Sequence, residues 1–221
     1  MAVLLLRLAA PMQSWGTDDS KYETRKTERE PSKSGVIGML AAALGYKRDE
    51  SEKLRELNCL RFGVRVDREG KLLRDFHMAH GEKPYLTNRY YLADAIFLVG
   101  LEGDPVLLTE LAYALSHPVF PLYLGRRSCP PTLPICLGIR ECDLSDALRN
   151  EPSLDTQKRR SDVARIRTDA NAEETAAPLR DFAISFDQRC RRYGYRNVVE
   201  REPVYHESTV HDPFQELEDA D

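Results

Sequence analysis

The chain opens on an apolar run, Val3 to Leu8, relieved only by Arg7 and followed by Pro11. A short run of this kind without polar alternation predicts a central strand. From residue 16 to 33 the sequence turns polar, dense in Asp, Glu, Lys, Arg and Thr, and predicts a long loop that is either functional or disordered. Small and apolar residues take over from Gly35 to Leu44. With Ser34 as N-cap and Gly45 as stop, they predict a helix slim enough to lie close on a sheet.

Ser51 to Leu57 predicts a further helical turn or two. Leu60, Phe62, Val64 and Val66 then alternate with Arg61, Gly63, Arg65 and Asp67, the period of a half-buried strand. Glu69-Gly70 turns the chain into a partner strand, Leu72 to His77. After a polar break around Gly81 to Pro84, Tyr90 to Leu101 predicts another strand. Pro105 starts an amphipathic helix through Leu108, Leu111 and Leu115 that stops at His117-Pro118, and Val119 to Leu124 supplies the last strand. This order predicts an α+β, ferredoxin-like (RRM-like) β-α-β-β-α-β domain over residues 1–140, with extra strands or a hairpin inserted near 77–90. Beyond it the sequence is charged and helix-poor, with alternating runs at Val163 to Arg167 and Phe182 to Phe186. A small β-rich appendage is expected over 141–205, and a disordered acidic tail over 206–221.

At 221 residues the chain suits one domain plus such an appendage. Its 32 Lys and Arg against 36 Asp and Glu give a net charge of -4, which argues by itself for neither nucleic acid nor membrane. Basic clusters nevertheless occur at Arg126-Arg127, Lys158 to Arg160 and Arg189 to Arg196. Five cysteines without CxxC spacing fit a reducing cytoplasm, and no stretch approaches the ~20 apolar residues of a membrane span, so a soluble cytoplasmic protein is expected.

Three polar, glycine-bearing segments each adjoin an apolar element. Gly125-Arg126-Arg127-Ser128-Cys129-Pro130-Pro131 combines a permissive backbone with guanidinium forks that match phosphate oxygens. Gln13-Ser14-Trp15-Gly16 follows the first strand, where Gln13 and Ser14 could read a base or ribose and Trp15 could be core or pocket wall. Lys33-Ser34 enters the first helix, a place suited to anions, although Ser34 would serve there as a plain cap too. His77, near Asp75, could work as acid or base but is more readily structural or RNA-contacting. Phosphate-loop, nucleophile-elbow and zinc spacings are absent, so the residues describe a binding surface without cofactor or metal.

Leu8 to Gly16, Pro31 to Gly45, the pair Asp75-Phe76-His77 and Tyr90 to Phe97, and Pro121 to Gly138 together resemble the CasD-type subunits of the type I-E CRISPR surveillance complex, Cascade. Ala10 departs from the glycine common among such proteins, and His80 to Asn88 is short for their hairpin thumb. The resemblance implies a RAMP-superfamily, non-catalytic RNA-binding subunit. It would hold the 5′ handle of CRISPR RNA and cap the complex between a CasC-type backbone subunit and the CasA-type large subunit that inspects target DNA. Carried over by position, Gly125, Arg126, Arg127 and Ser128 would bind the handle, with Gln13, Ser14, Lys33 and Ser34 near the same groove. The alternative, after type I-C relatives, is a metal-independent endoribonuclease using His77 with Lys33 or Tyr90.

Overall fold

A computed structural model describes residues 1–16, 24–79, 84–155 and 163–205. Along the chain run β1 (Ala2–Ala9), β2 (Met12–Gln13), β3 (Thr24–Arg25), α1 (Lys33–Ala43), α2 (Lys53–Cys59), β4 (Arg61–Arg68), β5 (Lys71–Ala79), β6 (Tyr85–Ala93) and β7 (Ile96–Gly103). They are followed by α3 (Pro105–Ser116), β8 (Cys136–Arg140), α4 (Leu144–Asn150), β9 (Val163–Asp169), β10 (Ala177–Ser185) and β11 (Arg192–Tyr205). Seven strands form one sheet in the order β10-β11-β9-β4-β7-β1-β8, all neighbours antiparallel.

Both faces of this sheet's central strands are covered. Leu4, Leu6 and Leu8 of β1 face α1, α2 and α3 together with Phe62, Val64, Phe97 and Val99, whereas Val3 and Leu5 join Leu98 and Ile166 beneath Leu144, Ala147 and Leu148 of α4. That is why β1 reads as a continuous apolar run: neither of its faces meets water. Arg65 lies on the α4 side and is fully buried. Its guanidinium forks onto Asp67 at 2.7 and 2.9 Å and donates to the carbonyls of Leu148, Glu151 and Pro152 at 2.7, 2.5 and 2.9 Å. It thereby satisfies acceptors that the end of a helix leaves open.

The second sheet is built on β6. The strand β5 pairs with it from end to end, while β2 and β3 pair with separate stretches of it. The expected single strand from Tyr90 to Leu101 is thus two strands in two sheets. The break falls at Asp94, whose φ of 56° turns the chain where an aspartate tolerates the left-handed region. Val119 to Leu124 is not a strand either: its amides on Val119 and Phe120 donate to Ala43 O and Ala42 O, closing the C-terminal end of α1. The strand expected there is β8. Residues 141–205, expected as a helix-poor appendage, contain α4 and extend the seven-stranded sheet, because β9 pairs with β4. The tail 206–221 and the basic cluster at Lys158 to Arg160 lie outside the described residues. No described helix is long and apolar enough to cross a membrane.

The link from β9 to β10 is held by Glu174, which accepts from Asn171 N at 2.7 Å and pairs with the Arg201 guanidinium. The hydrogen bond from Arg201, then that from Asn171 N, holds the Glu174 carboxyl down at about 2 against an ordinary 4.5. A lowered carboxyl contributes stability above its unfolded pKa and loses it as pH falls through the folded one. The Glu174 carboxyl resonance is therefore expected to titrate near pH 2 and to return towards 4.5 in Arg201→Ala. A normal midpoint in the parent protein would contradict the pairing.

Candidate nucleic-acid interface

The three glycine-bearing segments meet. Ser14 N donates to Leu124 O at 3.1 Å, and the Gly125 backbone lies so close to Ser14 that a Cβ on Gly125 would stand 1.7 Å from Ser14 O. Gly125 also has φ +86°. Leu124 N donates to Cys129 O at 2.8 Å and Cys129 N to Arg126 O at 2.9 Å, which fixes the arginine loop as a closed turn. Burial pushes the Cys129 thiol pKa up, so it behaves as an inert core group. Across the junction, the buried Trp15 ring lies on the first turn of α1, where a Cβ on Gly35 would come within 2.9 Å of it.

Several residues assigned to RNA from sequence are consumed by this framework. Gln13 is fully buried; its amide donates to Ala95 O at 2.7 Å and Leu8 O at 3.3 Å and accepts from Trp15 Nε1 at 3.3 Å. Ser14 is buried, and its hydroxyl donates to Tyr90 O at 3.2 Å. The helix cap is Ser32, which accepts from Gly35 N at 3.3 Å, and not Ser34. Lys33 is buried as well: its ammonium sits 3.0 Å from Asp169 Oδ2, and its amide donates to Asp181 Oδ2 at 2.8 Å. Arg196 bridges the same two carboxylates. The anion site at the α1 N-terminus is therefore already filled by the protein's own Asp181, and two cations balance two anions there.

Arg126 acts as a strut. It donates to the carbonyls of Tyr90, Arg25 and Lys26 at 3.2, 2.8 and 3.2 Å and stacks 4.8 Å over the Tyr91 ring, joining loop and second sheet. Ser128 is exposed, its hydroxyl 3.5 Å from the Tyr91 phenol. Tyr90 is half-buried on β6. His77 pairs with Asp75 on β5 and stands opposite Thr87 of β6, three residues from Tyr90, which therefore points to the other face of the strand, while Lys33 is buried on Asp169, so the acid-base set of the nuclease alternative is not brought together.

What remains free is a groove of about 680 Å³. Its floor is the small-residue face of α1, with Ser34, Gly35, Gly38 and Ala42. Tyr46, Lys47 and Arg48 close one end; Tyr123, Gly125 and Arg127 form one wall, and Phe186, Arg191 and Tyr193 the other. Its described lining holds four cations, Lys47, Arg48, Arg127 and Arg191, and no carboxylate. None of the four makes a salt bridge to a described residue. A chain of net negative charge thus presents a purely cationic, aromatic-lined channel, the surface that a single nucleic-acid strand requires. A second depression contrasts with it: its three cations are all paired, Lys33 with Asp169, Arg196 with Asp169 and Asp181, and Arg61 with Glu102.

Residues 3–199 match the family model of the CRISPR-associated protein Cas5. The chain belongs to the Cas5 family. Across 165 residues, 65% of this Cas5 chain and 72% of the relative, it is 39% identical to the CRISPR system Cascade subunit CasD of Escherichia coli (strain K12). It is similar to a solved chain of a CRISPR RNA-guided surveillance complex, with 33% identity and a TM-score of 0.78 over 94% of this chain and 92% of that one. A second solved chain, described as a Cas protein, is 42% identical with a TM-score of 0.72, covering 90% of this chain and 93% of that one.

For this Cas5 chain, sequence reasoning found Ser34, Gly125 and Arg127 of the groove and noted the basic cluster that contains Arg191 without assigning it a site, but missed Tyr46, Lys47, Arg48, Tyr123, Phe186 and Tyr193. A signal that Arg191 and Tyr193 act together was present. Arg191-Arg192-Tyr193-Gly194-Tyr195-Arg196 interleaves cations with aromatics, the composition of a strand-binding surface.

Proposed function

We propose that this chain is the non-catalytic, RNA-binding subunit of a Cascade-type complex that seats the 5′ handle of CRISPR RNA in the groove between α1 and the 125–127 turn. The observation that carries the reading is the four-cation, carboxylate-free lining. Arg127, Lys47, Arg48 and Arg191 hold phosphates, Ser34 and the Gly125 backbone approach the strand closely, and Arg126, Gln13, Ser14 and Lys33 hold the groove in shape. Strands β8, β1, β7 and β4, with α1 and α3 on one face, form a ferredoxin-like unit, and β9 to β11 enlarge it.

The hairpin of β5 and β6 serves as a short thumb. Met78 and Leu86 stand opposite each other, 57% and 52% exposed, beside Phe76 at 63%, and this apolar tip supports contact with a CasC-type backbone subunit. A CasA-type large subunit is the other neighbour, target DNA is met through the assembled complex, and the chain works in the cytoplasm.

The test uses labelled precursor CRISPR RNA in EDTA, with native and denaturing gels, comparing the parent protein with Arg127→Glu. Arg127 is exposed and bonded to no described side chain, so the fold is expected to survive. Affinity should fall about tenfold or more near 0.15 M salt, the salt slope should shrink by about 1 or more, and the RNA should stay whole. Cleavage within the repeat that His77→Ala abolishes would instead make this the processing nuclease.

A further inference from the structure

The wall opposite the arginine loop is built as firmly as the rest of the groove. Asn58 Nδ2 donates to Ala183 O at 2.6 Å and Ser51 Oγ to Ser185 Oγ at 3.1 Å, tying α2 and its approach to β10. The following turn is closed by Asp187 N on Ser185 Oγ at 3.2 Å and Arg189 N on Asp187 Oδ1 at 2.8 Å. From this turn Arg191 and Tyr193 reach the groove, with Tyr193 held in register against the buried Ala183.

Tyr193 meets Phe186 edge-on, with ring centroids 6.5 Å apart and planes inclined by 62°. An edge-to-face pair covers at most one face of each ring. Phe186 in turn rests on α1 at Gly38, where even a Cβ would stand in ordinary contact, 3.5 Å away. The Tyr193 hydroxyl makes no hydrogen bond to a described residue. Of the other groove tyrosines, Tyr46, next to Lys47 and Arg48, already has the Lys53 ammonium 4.9 Å over its ring. Tyr193 therefore combines a ring held against Phe186, partial exposure at the groove and an adjacent cation with no salt bridge to a described residue, beside a floor of mostly small residues.

We infer that Tyr193 is a base-stacking platform: one unstacked base of the bound RNA lies on its ring, with Arg191 on a neighbouring phosphate. This rests on the groove being the RNA site and adds which side chain orders a base within it. Aromatic faces accept any base, so Tyr193 supplies affinity and base placement and leaves sequence choice to other contacts.

The test measures binding of the full chain to labelled CRISPR RNA carrying its 5′ handle, across a range of salt, for Tyr193→Ala, Tyr193→Phe, Arg127→Glu and a control on the same strand, the exposed Tyr195→Ala. Tyr193→Ala should weaken binding about 5- to 100-fold without changing the salt slope, because stacking releases no counterions. Tyr193→Phe should stay within about twofold, since it keeps the ring. Tyr195→Ala should bind like the parent. With 2-aminopurine placed singly along the handle, quenching should be relieved in Tyr193→Ala at one position. Unchanged binding in Tyr193→Ala with a loss in Arg127→Glu would overturn the platform and leave the groove standing. Unchanged binding in both would overturn the groove itself. An equal loss in Tyr193→Phe and Tyr193→Ala would show that the ring is not what the RNA uses, and would also overturn the platform.

Discussion

Arg65→Ala is expected to lower the unfolding free energy by about 3–5 kcal/mol, seen as a large drop in the urea midpoint with the slope unchanged. Five short hydrogen bonds leave this one guanidinium: two to Asp67, and one each to the carbonyls of Leu148, Glu151 and Pro152. Removing it strands a carboxylate that, like Arg65 itself, has no side-chain exposure. Among the described residues, Asp67 would keep only Leu154 N, at 2.8 Å. Arg65→Lys should recover little, since an ammonium cannot serve a carboxylate and three carbonyls in one plane. Arg65→Met combined with Asp67→Leu removes the stranded charge and should recover part of the loss, but the three carbonyls still lack donors. A midpoint in Arg65→Ala indistinguishable from the parent would refute this role.

Gly125→Ala is expected to damage stability and RNA binding together. An L-residue at φ +86° costs about 1–2 kcal/mol, and the methyl would overlap Ser14 O at 1.7 Å, so the backbone must also move. The total should exceed about 2 kcal/mol. Arg127 lies two residues further on in the same closed turn, so the handle affinity should fall about tenfold or more as its guanidinium leaves the groove. Gly16→Ala is the matched control for stability, because nothing lies within 4 Å of the Cβ it would add; binding is compared with the parent, since Gly16 also lines the groove. If Gly125→Ala unfolded like Gly16→Ala and bound like the parent, the close approach of the two loops would not be structurally required.

The central elements could be read from the chain because their signals are local. The doubly buried β1, the alternation of β4, and Pro105 at the head of α3 each announce themselves within a few residues. The errors arose where a distant partner decides. An apolar run at Val119 to Leu124 looks like a strand until α1 is found to need its carbonyls covered. Lys33 looks like a ligand for phosphate until Asp169 and Asp181, far along the chain, are found to have taken it. Gln13 looks like a base reader until Ala95 O and Trp15 are seen to occupy it. The groove itself was half legible. Its glycine and arginine turn stood out, whereas Tyr46 and Tyr123 carry no sequence mark that separates them from any other tyrosine.

Because Phe186, Arg191 and Tyr193 form one wall and Ser34 and Gly35 the floor, the groove joins early and late parts of the chain. Such long-range contacts close slowly, and during synthesis the last wall is the last to leave the ribosome. A partly made chain therefore has an incomplete groove: a product that stopped short of Arg191 and β11 would lack Arg191 and Tyr193 while keeping Lys47, Arg48 and Arg127, so the last-made strand completes a surface whose other parts are already in place.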